Sequence, residues 1–142
     1  MNILVVDAQG GGIGRQLVAA LKKRMPKAVV TAVGTNSLAT SAMLKEGADE
    51  AATGENAVVV CARKADIITR PIGIVIADSL LGEITPTMAK AIGQSSAARV
   101  LIPVSRCDNI IVGVEEKPMS YLVNKAVDEI GLLALKDGFF KD

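Results

Sequence analysis

The chain has 142 residues, enough for one domain of common size with a single substantial core. Half of it is apolar and its mean hydropathy is +0.39, yet it holds only one Tyr, two Phe and no Trp, so Val, Ile, Leu and Ala must build the core. A net charge of +1, with no basic stripe and few stacking aromatics, argues against a nucleic-acid partner. The absence of His removes the commonest general base and most zinc chemistry.

Taken in chain order, Ile3 to Val6 is a continuous apolar run and reads as a first strand. A cluster of glycines follows, and then Ile13, Leu17, Val18 and Leu21 recur at helical spacing until Pro26 stops the helix. Ala28 to Val33 is a second strand. Asn36 or Ser37 caps a second helix that is expected to bury Leu38, Ala42 and Met43 and to close at Gly47. Ala48 to Ala52 reads as a short edge strand. The segment after Thr53-Gly54-Glu55-Asn56 is ambiguous: β-branched Val58, Val59 and Val60 favour a strand, but parallel neighbours need a crossover, and we assign a helix. Ile72 to Ala77 then reads as a strand ending in Asp78-Ser79, and Thr85-Pro86 as a helix start with a hydroxyl cap and Pro at the first helical position. Arg99 to Val104 and the short Asn109 to Val112 are further strands. Pro118 opens a last helix with an apolar stripe of Met119, Leu122, Val123, Ala126, Val127 and Ile130. Leu132 to Phe140 is apolar, with Gly131 and Gly138 to loosen it, and reads as a loosely docked tail over 132–142. Alternating strands and helices predict a single Rossmann-like α/β domain over 1–142, a mostly parallel sheet with helices on both faces.

The chemistry concentrates at the first turn. Gly10-Gly11-Gly12-Ile13-Gly14 lies between the first strand and the first helix, where backbone N–H groups and a helix N-terminus can receive a phosphate and glycine leaves the approach open. The spacing matches no standard fingerprint. In G-x-G-x-x-G the third position is Arg15, in G-x-x-x-G-x-G the first is Ala8, and no Lys followed by Ser or Thr closes a P-loop. The simpler alternative is a tight turn whose glycines only let helix and strand pack closely. Where NAD enzymes carry an acid at the end of the second strand, this chain reads Gly34-Thr35-Asn36-Ser37, which favours NADP or a phosphorylated mononucleotide over NAD, unless these residues merely cap the second helix.

Strand ends of an open parallel sheet face its ligand cleft. They make Asp7 and Gln9, Thr35, Asn36 and Ser37, Asp78 and Ser79, and Ser105 to Asp108 the candidates around the glycines. Asp78 draws notice because a charge directly after six apolar residues is costly unless it reaches a cleft; a turn carboxylate capping a helix is the alternative. Cys107 beside Arg106 is either an activated thiolate or a small buried side chain. Glu55 and Glu83 qualify for acid–base work only by lying in loops. Tyr121 and Lys125, four apart on the last helix, read as a solvated pair rather than a catalytic one. No spacing fits a metal site.

The blocks Val5-Val6-Asp7-Ala8-Gln9-Gly10-Gly11-Gly12-Ile13-Gly14, Ala32-Val33-Gly34-Thr35-Asn36-Ser37, Ala52-Thr53-Gly54-Glu55-Asn56-Ala57 and Pro71-Ile72-Gly73-Ile74-Val75-Ile76-Ala77-Asp78-Ser79 resemble a small bacterial family catalogued as a domain of unknown function. The resemblance runs over nearly the whole chain and implies the domain extent, but it brings no activity. Ala8 departs from the Gly of the family pattern.

The expectation is therefore a nucleotide-binding protein with NADP or a related phosphorylated nucleotide at the glycine turn, with a minimal oxidoreductase as one form of it. A non-catalytic nucleotide sensor and an assembly protein with an empty turn are the alternatives. Cys61 and Cys107 form no disulfide framework, and the strand-like first residues do not read as a cleavable leader, so a reduced, cytoplasmic protein is expected. No apolar run reaches the ~18 residues of a membrane span. The apolar excess, with Ile110-Ile111-Val112 and Phe139-Phe140 near an edge or a loose end, predicts a homo-oligomer, most simply a dimer.

Overall fold

A computed structural model describes residues 1–104 and 109–138. The elements run β1 (Asn2–Asp7), α1 (Gly12–Arg24), β2 (Val29–Gly34), α2 (Ser37–Lys45), β3 (Glu50–Thr53), α3 (Glu55–Lys64), β4 (Ile67–Pro71), a single 3-10 turn (Ile72–Val75), α4 (Pro86–Gln94), β5 (Ala98–Ile102) and α5 (Met119–Lys136). The strands form one sheet in the order β3-β2-β1-β4-β5, and every pairing is parallel. The chain is thus a single Rossmann-like α/β domain. It winds outward from β1 through β2 to β3, then returns to the other side of β1 for β4 and β5.

Period-two alternation in β1 explains the layering. Ile3 and Val5 pack with Leu17, Val18 and Leu21 of α1, Met43 of α2 and Val123, Val127 and Ile130 of α5. Leu4 and Val6 face the opposite layer, against Val58 and Ala62 of α3 and Met88 and Ile92 of α4. Both sides of the central strand are therefore dry, and its sequence is a run of aliphatics rather than an alternation with polar residues. Helix ends follow their caps: the Asn36 side chain accepts the Ala39 N–H at 2.9 Å, and Thr85 Oγ1 accepts that of Met88 at 3.1 Å ahead of Pro86.

Four expectations change. The fourth strand is Ile67–Pro71, not Ile72 to Ala77. Pro71 is its last paired residue, opposite Ile102, and the apolar run beyond it turns into the 3-10 segment and then a loop. Asn109 to Val112 forms no strand, and Ile110 and Val112 stand 89% and 93% exposed. On α2, Met43 is buried and Ala42 partly so, but Leu38 is 67% exposed, because only a narrow stripe of this short helix meets the sheet. Residues 132–136 are no loose tail: they continue α5, with Ala134 buried beneath them. Gly131 is accommodated inside that helix, while Phe139 and Phe140 lie outside the described residues.

Candidate functional site

The winding reverses between β1 and β4, and a parallel sheet opens a crevice where such a reversal occurs. Here a cleft of about 290 Å³ lies beyond the ends of those two strands. Its walls include Asp7 at the end of β1 with Ala8 and Gln9 after it, Gly10 to Ile13 of the glycine turn, Arg70 and Pro71 at the end of β4, and Leu80. Six of the sequence candidates, Asp7, Gln9, Gly10, Gly11, Gly12 and Ile13, are therefore gathered in one place.

The four glycines divide into two kinds. Gly11 and Gly14 are buried. Gly11 has φ +73°, and a Cβ there would come within 2.9 Å of Ala39 Cα; one at Gly14 would meet Asp7 Oδ2 at 2.5 Å and Met43 Sδ at 2.7 Å. Those two glycines let α1 and α2 settle against β1. Gly10 and Gly12 are exposed, and a Cβ on either would have nothing within 4 Å. The protein's own packing does not require glycine at these two positions.

Backbone amides follow the same division. Gly11 N–H donates to the Ala8 carbonyl at 3.1 Å, and Gly14 N–H to Asp7 Oδ2 at 2.7 Å. The amides of Gly10, Gly12 and Ile13 donate to no other described residue. Gly12 and Ile13 are the first two residues of α1, whose opening turn carries no acid, so their N–H groups stand at the positive end of the helix dipole.

Two charged groups line the cleft among the described residues. Asp7 is 2% exposed and Arg70 4%, and Arg70 Nη2 lies 3.3 Å from Asp7 Oδ1. Burial pushes the Asp7 carboxyl above the usual carboxylate range. The Arg70 charge and the Ala8 and Gly14 amides pull the other way without cancelling it. Arg70 is a site residue that sequence reasoning missed: a strand read five residues too late, from Ile72, puts Asp78 at its end instead. The available signal was the Arg-Pro pair closing an apolar stretch at Ile67 to Thr69.

Glu83 draws notice in the sequence only as a loop residue for acid–base work. It lies between the 3-10 turn and α4, yet its carboxylate accepts the Gln9 N–H (3.1 Å to each oxygen), the Thr35 hydroxyl (3.0 Å) and the Asn36 amide (3.0 Å). Asn36 Nδ2 also donates to the Gln9 carbonyl at 3.0 Å, so the Gln9 peptide, at φ +50°, is held from both sides. Burial disfavours the charged form of Glu83, but its hydrogen bonds from Gln9, Asn36 and Thr35, with the Arg70 charge, outweigh that and hold the carboxyl below its usual range. An uncharged Thr35 to Ser37 favours a 2′-phosphate in the sequence, but in space a carboxylate stands there, supplied by Glu83 from elsewhere in the chain. Ser37 opens α2 and is exposed.

The remaining candidates stand apart. Asp78 is exposed at φ +64°, and Ser79 is buried, donating to the Gly73 carbonyl at 2.6 Å. They border a neighbouring cavity of about 430 Å³ that shares Gln9 and Leu80 with the glycine cleft. Asp78 avoids a burial cost by facing solvent, not by entering the cleft. Glu55 accepts from the Thr85 hydroxyl at 2.5 Å, and Lys125 Nζ lies 5.6 Å from the centre of the exposed Tyr121 ring; neither contact is in the cleft. Ser105 to Asp108, Cys107 included, lie outside the described residues. Among the described residues, no Cys, Asp and Glu side chains group to hold a metal ion, and no helix is long and apolar enough to cross a membrane. A groove of about 330 Å³ between α3 and α4, lined by Arg63 and Lys90 among others, contains none of the candidates.

Among solved structures, the chain is similar to a dodecameric FMN-dependent UbiX-like decarboxylase from Escherichia coli O157:H7. Identity is 17%, the match covers 92% of this chain and 94% of that one, and the TM-score is 0.45. No curated protein sequence matches. The family model of a domain of unknown function, DUF3842, matches residues 2–134, and the chain belongs to that family.

Proposed function

We propose that the chain binds the phosphate of a nucleotide at the glycine turn, with the Gly10, Gly12 and Ile13 amides as donors. The observation that carries this reading is the set of N–H groups with no acceptor among the described residues, around two exposed glycines at the N-terminus of α1 and the crevice of the sheet. A turn built only for packing accounts for Gly11 and Gly14 and leaves Gly10 and Gly12 unexplained. Asp7 takes the Gly14 amide and is neutralised by Arg70, which leaves the outer amides to the ligand. An oxidoreductase and a nucleotide sensor would share this site; hydride transfer with bound nicotinamide nucleotide separates them. NADP, favoured by the sequence, loses its particular support to Glu83, and the ligand class we retain is a phosphorylated nucleotide.

A thermal-shift panel of AMP, ADP, NAD, NADP, FMN and inorganic phosphate tests the reading. A binder at ~100 times its Kd adds about 2.7 kcal/mol of stability and raises the Tm by several degrees. No shift with any of them contradicts the proposal.

A homodimer is our second proposal, supported by Leu81, Ile110 and Val112, which are 100%, 89% and 93% exposed. Light scattering checks it: a monomer of 14.7 kDa at micromolar concentration contradicts it.

A further inference from the structure

Sheets of this winding that bind dinucleotides place an acid at the end of the second strand, where it accepts the ribose hydroxyls. In this chain the end of β2 is uncharged, but Glu83 delivers a carboxylate to the same place from the loop before α4. Its Oε1 takes the Thr35 hydroxyl, the Asn36 amide and the Gln9 N–H, whereas Oε2 shares only the Gln9 N–H. A carboxylate oxygen has room for about two donors, so Oε2 keeps acceptor capacity. Glu83 is only half-buried, so that oxygen is not sealed from an incoming ligand. The same carboxylate grips the residue that leads into Gly10, which puts it beside the proposed phosphate site.

We infer that Glu83 recognises the ribose of the bound nucleotide, accepting from its free hydroxyls and excluding a 2′-phosphate. The inference rests on phosphate binding at the glycine turn. A hydroxyl donates to a carboxylate, whereas a phosphate at this position offers oxygens and a like charge to an anion that already holds three donors. Thr35 and Asn36 are uncharged and supply no cation to offset it, and the Arg70 charge that reaches Glu83 is already engaged by Asp7 at 3.3 Å.

Calorimetric titration of the full chain with NAD and NADP, and with ADP and its 2′-phosphorylated analogue, tests this. In the wild type the unphosphorylated member of each pair should bind about tenfold more tightly or better. Glu83→Gln should bring the two within about threefold, chiefly by improving the 2′-phosphorylated ligand, a gain that general damage to the loop would not produce. Equal or tighter binding of the 2′-phosphorylated ligands by the wild type overturns the inference. If Gly12→Val still abolishes binding of all four, the glycine-turn reading survives that result. Failure of the wild type to bind any of the four overturns both. Should Glu83→Gln not fold, the wild-type ratio alone decides.

Discussion

Gly11 and Gly14 on one side, and Gly10 and Gly12 on the other, alternate along five residues of one turn and serve opposite ends. The buried pair is dictated by neighbours: α2 backbone crowds Gly11, and the Asp7 side chain crowds Gly14. The exposed pair borders open space and amides that have no acceptor among the described residues. A glycine-rich turn is thus not one signal but two interleaved ones, and only the part that packing leaves unexplained speaks for a ligand. This division of labour also accounts for the imperfect fingerprint, since a motif read by spacing alone mixes glycines demanded by the fold with those demanded by the ligand.

Substitutions should separate the two pairs. The largest effect is expected at Gly14→Ala, where the new methyl meets Asp7 and Met43 in a closed space; we expect about 3 kcal/mol of lost stability in urea unfolding. Gly11→Ala should cost about 2 kcal/mol, from the positive φ together with the contact on Ala39. Glu83→Gln, which loosens the clamp on Gln9, should cost about 1 kcal/mol at neutral pH. Because the folded carboxyl titrates below its unfolded value, the stabilisation from Glu83 is complete above the ordinary carboxylate range and is lost as pH falls through the folded value. The Tm difference between wild type and Glu83→Gln should therefore close as pH drops below about 4. Asp7 shifts upward, in part through the Glu83 charge itself, and that coupling also disappears once both carboxyls are protonated, so the difference still closes at low pH. The smallest effect belongs to Gly12→Ala, within about 0.5 kcal/mol of wild type; a loss matching that at Gly14 would erase the distinction between the pairs.

Much of this arrangement was legible in the residues. An unbroken Ile3 to Val6 run, the helical stripe after Ile13, the Asn36 and Thr85 caps and the stripe of α5 each state a local preference that the fold keeps. Asp7 and the glycines followed from their position at and just beyond the end of β1. What failed did so because the deciding interactions are not local. Thr69 and Arg70 look too polar for a buried strand, and contacts from distant parts of the chain, the Asp7 carboxylate among them, make Arg70 tolerable there, so the apolar run beginning at Ile72 reads as the better strand. That displacement moved the candidate site from Arg70 to Asp78. Glu83 could not be assigned from its neighbours in sequence, because its ligands Gln9, Thr35 and Asn36 are brought to it by the winding of the sheet.

Titration calorimetry of ADP into wild type and Gly12→Val, with melting curves of both, tests phosphate binding at the turn most directly. The wild type should bind, and the variant should melt within a degree or two of it while losing about tenfold or more in affinity, because the valine side chain stands where the phosphate meets the amides. Equal affinity in two equally stable proteins would contradict a phosphate site at these glycines.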